Sequence, residues 1–172
     1  QAGPPPPRPA PPPTPAPPPH RAPPSAAPRP RPPSPPRGPA LDPPRHAEKP
    51  CARWAGRNTH PHKGPGSAAV TLSLKPHGVA PGDITSEQME LVADLADRYS
   101  FGELRISHEQ NVILADVRKS DLYDVWKQAR ANGMATPNPG LLTGIICCPG
   151  GDSCDLAYAK SIPAATAIQD RH

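Results

Sequence analysis

From Ala69 onward, apolar and polar positions alternate: Val70, Leu72 and Leu74 interleave with Thr71, Ser73 and Lys75. This is the period-two pattern of a strand with one buried face. Pro81-Gly82 marks a turn. Thr85, with Gln88 three residues later, reads as a capping box. Met89, Val92, Leu95, Ala96 and Tyr99 then recur at helical spacing. Leu104 and Ile106, with Arg105 and Ser107 on the opposite side, predict a second strand. His108-Glu109 turns the chain, and Val112 and Leu114 carry a third strand. Ser120 stands where it can cap a helix whose apolar face is Leu122, Val125, Trp126 and Ala129, closed by Gly133. Gly144 to Cys147 offers a final short strand, and Leu156 to Ile168 reads as helical with Pro163 tolerated near its start.

The resulting order, β-α-β-β-α, predicts an α+β fold: the ferredoxin-like split βαβ arrangement, with two helices on one face of a small antiparallel sheet. Its expected core comprises Val70, Leu72, Leu95, Leu104, Ile106, Leu114, Leu122 and Trp126. Composition sets the remainder of the chain apart. Residues 1–50 hold 24 of the 32 prolines and no Phe, Trp or Tyr. A stretch without large apolar side chains cannot offset the entropy of ordering, so a disordered tail with polyproline II character is expected. Its P-x-x-P-x-R string, Pro32 to Arg37, has the form that docks on an SH3-type groove. The domain expectation is therefore a tail over 1–50, a connector over 51–68, a ferredoxin-like half-domain over 69–140 and a further segment over 141–172.

Charge divides at the same boundary. The tail carries seven basic and two acidic residues, against twelve and thirteen in residues 51–172. The basic pI thus belongs to the tail, and the folded part offers no electrostatic case for nucleic acid as a partner. No apolar run is long enough to span a membrane and no apolar signal region opens the chain. Four cysteines without a secretion signal suit a reducing, cytoplasmic setting.

The chemistry concentrates in Ile145-Ile146-Cys147-Cys148-Pro149-Gly150-Gly151-Asp152-Ser153-Cys154, which contains three of those four cysteines. Cys148 and Cys154 bracket a five-residue loop with one proline and two glycines. Asp152 or Ser153 is placed to cap a helix from near Cys154, and thiolates at such a loop suit soft metals or iron–sulfur clusters. The C-x5-C spacing is wider than a C-x2-C zinc knuckle and differs from the common ferredoxin runs, so two ordinary buried cysteines stand beside that reading. Cys147 is expected as a small core residue, and Cys51, at the edge of the tail, has no evident partner. His60 and His62, two apart in a turn-rich segment, read as connector residues.

Three motifs in order on this frame resemble the hemoprotein subunit of sulfite and nitrite reductases. His60-Pro61-His62-Lys63-Gly64-Pro65-Gly66 resembles that family's H-P-x-K-x-P-G connector. Gly102 to Ile113, GELRISHEQNVI, resembles its G-E-L-R strand pair ending in Q-N. Cys148 and Cys154, followed by Leu156-Ala157, fall where the family has its first cluster-ligand pair. The resemblance starts near Trp54 and covers about two-thirds of the chain.

The resemblance implies siroheme coupled to a 4Fe-4S cluster and a six-electron reduction of sulfite to sulfide or nitrite to ammonia. It implies ferredoxin or an NADPH flavoprotein as electron donor. It makes Cys148 and Cys154 cluster ligands, and places Arg105, Gln110 and Asn111 on the strand pair facing siroheme or substrate. Only the second of the family's two ferredoxin-like halves is visible, and the second ligand pair, C-x3-C, is not present. The expectation is a fragment with residues 141–172 opening the siroheme and cluster domain, inactive alone. Two other classes remain open: a non-catalytic proline-rich interaction protein with a ferredoxin-like domain, and a small zinc-binding domain using Cys147, Cys148, Cys154 and a histidine.

Overall fold

A computed structural model describes residues 49–172. The expected tail up to Glu48, with its Pro32–Arg37 string, lies outside the described residues. The first element is a helix, α1 (Lys49–Asn58), where a connector was expected. Pro50 sits in its first turn, where a missing N–H costs nothing. Cys51, Trp54 and Asn58, at i, i+3 and i+7, form its buried face. Cys51 therefore belongs to the core and not to the edge of a tail.

Four strands follow in one antiparallel sheet: β1 (Thr59–His60), β2 (Ser67–Leu72), β3 (Leu104–Ile106) and β4 (Val112–Arg118), in spatial order β1-β2-β4-β3. Helix α2 (Ser86–Tyr99) joins β2 to β3, and α3 (Leu122–Ala131) follows β4. Because β4 runs antiparallel to both neighbours, β2 and β3 are parallel to each other with β4 between them. That is the expected split βαβ unit. Register is fixed by Thr71 opposite Ile113 and Arg105 opposite Ile113, on either side of β4.

The capping box forms as expected: the Gln88 amide donates to Thr85 Oγ1 and the Thr85 amide donates to Gln88 Oε1. Gly133, with φ 74°, closes α3 in the left-handed conformation. Val92, Leu95, Ala96, Leu122, Val125, Trp126 and Ala129 are buried, with Val70, Leu72, Leu114 and Trp54 in one cluster.

Six details differ from expectation. Ser120 does not cap α3: it lies in a 3-10 turn (Lys119–Asp121), its hydroxyl donates to Asp121 Oδ1, and the helix starts without a side-chain cap. Leu104 and Ile106 are 41% and 75% exposed, because β3 is a three-residue edge strand overlooking an open cleft. Thr71, Ser73 and Lys75, expected on a solvated face, are buried. Their second face is roofed by polar partners: His60 Nε2 lies 2.9 Å from Thr71 Oγ1, Ser73 Oγ donates to Asn138 Oδ1 at 2.7 Å, and Lys75 Nζ donates to the Gly144 carbonyl at 2.8 Å. No strand forms over Gly144–Cys147, where a 3-10 turn (Leu142–Gly144) leads into extended chain. No helix begins near Cys154, since Gly150–Asp152 form a 3-10 turn instead of ending in a cap. The last helix, α4 (Ser161–Gln169), starts five residues later than Leu156, with Pro163 in its first turn.

Candidate functional site

The β3–β4 hairpin is built around one hydroxyl. Ser107 Oγ accepts from the amides of Glu109 and Asn111, both at 3.2 Å, and the Ser107 amide donates to the Asn111 carbonyl at 2.8 Å. This tight turn puts Gln110 at φ 56°, a left-handed conformation uncommon outside glycine. The side chain is over-determined. Gln110 Nε2 donates to the Cys147 carbonyl at 2.7 Å, and the Cys147 amide donates to Gln110 Oε1 at 2.9 Å. The amide thus pairs with one backbone residue as a neighbouring strand would. Gly82 makes room for it: a Cβ there would stand 3.0 Å from Gln110 Cβ.

Held by that clamp, the cysteine loop leaves the sheet. Cys147 is buried, while Cys148 and Cys154 are exposed, and all three are free thiols. Cys148 Sγ lies 3.5 Å from Ser161 Oγ. That hydroxyl, with the Gly150 amide second, holds the Cys148 thiol below its ordinary pKa. Burial, with the neighbouring Cys148 second, pushes the Cys147 thiol up. The Cys154 amide donates to the Gly150 carbonyl at 3.0 Å and the Gly151 amide to the Ala159 carbonyl at 2.9 Å, closing the loop on Gly150. Only glycine fits there, because φ is 60° and a Cβ would meet the Ala159 carbonyl oxygen at 2.6 Å.

A cleft of about 520 Å³ opens between the start of α2, β3 and this loop, lined by Met89, Leu104, Ile106, Gln110, Cys147 and Ile162 among others. The exposed apolar residues of β3 face a concave wall and not bulk surface alone.

The other expected site residues fall as follows. Arg105 is exposed and ion-paired with Glu103, its Nε donating to Glu103 Oε1 at 2.8 Å. Asn111 is buried, and its Oδ1 accepts from the Leu74 amide at 3.2 Å, joining the hairpin to the end of β2. Gln110 alone of the three touches the cysteine loop. His62 accepts from the Gly64 amide at Nδ1, so Nε2 carries the proton and donates to Asp116 at 2.9 Å, pinning the connector to β4. Ser161 and Gly150 were not anticipated. The Gly-Gly pair signalled a turn, but nothing nearby in sequence marked a hydroxyl thirteen residues beyond Cys148.

The two exposed thiols, one held toward its thiolate, are of the donor type that an iron–sulfur cluster takes. Among the described residues, no three His, Cys, Asp or Glu side chains gather in a metal-binding group. Among them, too, no helix is long and apolar enough to cross a membrane.

Comparison with known proteins bears on this geometry. Residues 60–132 match the family model of the nitrite/sulfite reductase ferredoxin-like half domain. The chloroplastic ferredoxin–nitrite reductase of Spinacia oleracea is 29% identical over 90 residues, 52% of this chain and 15% of that protein. The ferredoxin–nitrite reductase of Synechococcus elongatus is 31% identical over 90 residues, covering 52% and 18%. The assimilatory ferredoxin-dependent nitrite reductase of Haloferax mediterranei is 33% identical over 84 residues, covering 48% and 14%. The aligned stretch is thus less than a fifth of each of these relatives.

Proposed function

We propose, with residues 60–132 belonging to the nitrite/sulfite reductase ferredoxin-like half-domain family, that this chain supplies half of a cofactor site in a six-electron reductase of the assimilatory type. Nitrite as substrate and ferredoxin as donor are favoured over sulfite and an NADPH flavoprotein by the names of the three relatives. The observation that carries the reading is the Gln110–Cys147 clamp. It ties the strand pair of the half-domain to a loop that presents Cys148 and Cys154 outward.

In this reading Cys148 and Cys154 hold two corners of a 4Fe-4S cluster, and the other two thiolates come from outside residues 1–172. When bound, the cluster and siroheme supply one-electron transfer and a metal centre for the anion. The chain's own part is positional. Ser161 and the Gly150 amide favour the ligating, deprotonated form of Cys148. Gln110 fixes where the loop begins, and Asn111 fixes the hairpin that carries Gln110. Arg105, on the exposed edge strand beside Glu103, is assigned to the polar rim that meets the carboxylate-rich macrocycle.

Anaerobic reconstitution tests this. With iron and sulfide, the 172-residue chain should hold no stable four-iron cluster and reduce no nitrite. Fusion to a polypeptide that supplies the other half-domain and a C-x3-C pair should give the cluster absorption, and Cys148→Ser or Cys154→Ser should remove it. A stable cluster on the chain alone, or an unchanged spectrum in the doubly substituted fusion, overturns the assignment.

A further inference from the structure

Strand β3 ends the sheet, with β4 on one side of it and, among the described residues, no strand on the other. All three of its residues are exposed. Its backbone is only half used. The Ser107 amide donates to the Asn111 carbonyl, which makes these two a bonded pair at the end of the hairpin. In an antiparallel ladder bonded pairs recur at every second residue, so Arg105 exchanges its bonds with Ile113, its register partner. Leu104 and Ile106, on either side of Arg105, therefore turn their N–H and C=O groups outward. Among the described residues, no hydrogen bond outside the sheet takes up either of them.

The side chains alternate as the backbone does. Leu104 and Ile106 stand on the face of Leu114 and Val112, their partners across the ladder, and Glu103 and Arg105 stand on the other. Glu103 and Arg105 are ion-paired along the strand, yet their side chains remain 38% and 62% exposed. Charges usually keep an edge strand from pairing. This pair of charges leaves one opening. If a second copy lies antiparallel with Leu104 opposite Leu104, the outward amide and carbonyl of each leucine meet those of the other. Glu103 then stands opposite Arg105 on both sides of the twofold, and the four charges alternate around a square. Moving the twofold by one residue sets Arg105 against Arg105 or Glu103 against Glu103, which like-charge repulsion disfavours. Within the strand, the edge is complementary to itself in charge only in the register centred on Leu104.

We propose that β3 is a docking edge for a second copy of this chain, which pairs antiparallel across a twofold axis at Leu104 and joins two four-stranded sheets into one. The interface is isologous, so one patch serves both copies. With a strand of three residues on each side, it belongs among weak, reversible contacts. Neither Cys148 nor Cys154 takes part, so the pairing is independent of the cluster reading.

Sedimentation equilibrium of the 172-residue chain, with its thiols kept reduced, should show a monomer–dimer equilibrium with a Kd below about 1 mM. Arg105→Glu makes all four facing charges negative and Glu103→Arg makes all four positive, so each should weaken self-association at least about tenfold. An equimolar mixture of the two variants should restore association as a heterodimer, because an acidic edge then faces a basic one. Glu103→Arg combined with Arg105→Glu regenerates the alternation and should dimerise like the unaltered chain. Amide exchange reads the register. Protection of the Leu104 amide should rise with protein concentration, whereas the Arg105 amide, bonded to β4 in either state, should not change. Absence of self-association up to about 1 mM overturns the proposal. Dimers that keep their strength in both single variants, a mixture no tighter than its components, or a Leu104 amide unmoved by concentration would overturn it equally.

Discussion

Two stretches of the molecule, Val70–Lys75 and Ile146–Lys160, carry three large apolar residues each, close-set in the first and scattered in the second, and meet opposite fates. Every side chain from Val70 to Lys75 is buried, the polar ones included. In the second stretch, Ile146, Leu156 and Tyr158 are exposed, as are Cys148 and Cys154. The first is covered on one face by the helices and on the other by His60, Asn138 and Gly144, which answer its polar groups. The second is fixed by a few polar tethers: the Gln110–Cys147 pair, the Gly151–Ala159 bond and the Cys148–Ser161 contact. Burial here follows the neighbours available and not apolar content. The second stretch is thus a loop held by polar bonds while it shows Leu156 and Tyr158 to solvent.

The sharpest way to break this contrast is to attack the covered region. Trp126 is buried against Tyr123, with their ring centroids 5.6 Å apart, and Arg130 lies over its ring. Trp126→Ala should cost about 3–5 kcal/mol, read as a fall in the denaturation midpoint of the whole domain. A loss below about 1 kcal/mol would mean that the ring is not packed as described.

A smaller effect, confined to the second region, should follow Gln110→Ala. The change removes both bonds to Cys147 and leaves the left-handed φ in place. The expected local loss is about 1–3 kcal/mol. Hydrogen exchange should quicken over residues 147–160, and limited proteolysis should begin there, while the amides of β2 and β4 keep their protection. Gln110→Gly relieves the backbone strain and loses the same clamp, so it should release the loop equally with less effect on the hairpin. If exchange in β4 rises as much as in the loop, the two regions are one cooperative unit and the contrast fails.

These differences also account for what was legible beforehand. Alternation at Val70–Leu74, the Thr85–Gln88 box and the Leu122–Ala129 stripe all announce local structure through short-range periodicity, and each formed. Helix α1 was hidden because its buried face is Cys51, Trp54 and Asn58, one large apolar residue in three, directly after a proline-rich run. The burial of Lys75 and Ser73 was hidden because their partners, Gly144 and Asn138, lie more than sixty residues away. Leu104 and Ile106 read as core because alternation reports which face a residue points to, and not whether that face is filled. At the site, the cysteine spacing was visible, whereas the clamp from Gln110 is a side-chain-to-backbone pair across 37 residues and leaves no periodic trace.

The finest effect concerns a single thiol. Ser161 Oγ is the largest influence holding Cys148 below its ordinary pKa, and the Gly150 amide is the next. A lowered pKa raises the thiolate fraction at neutral pH, and the thiolate is the species that alkylates. Cys148 should therefore react with iodoacetamide well before Cys147, whose thiol burial pushes the other way. Testing the cause requires removing one donor without moving the loop. Gly150 is unsuitable, since any Cβ would strike the Ala159 carbonyl oxygen and the φ of 60° is itself unfavourable. Ser161→Ala is clean by comparison, because the hydroxyl contact with Cys148 is long, at 3.5 Å, and supports no other described bond. The midpoint of the Cys148 pH–rate profile should move up in Ser161→Ala, and the rate near neutral pH should fall with it. The Cys147 profile should stay where it is. An unmoved Cys148 midpoint would leave the Gly150 amide as the sole source of the effect.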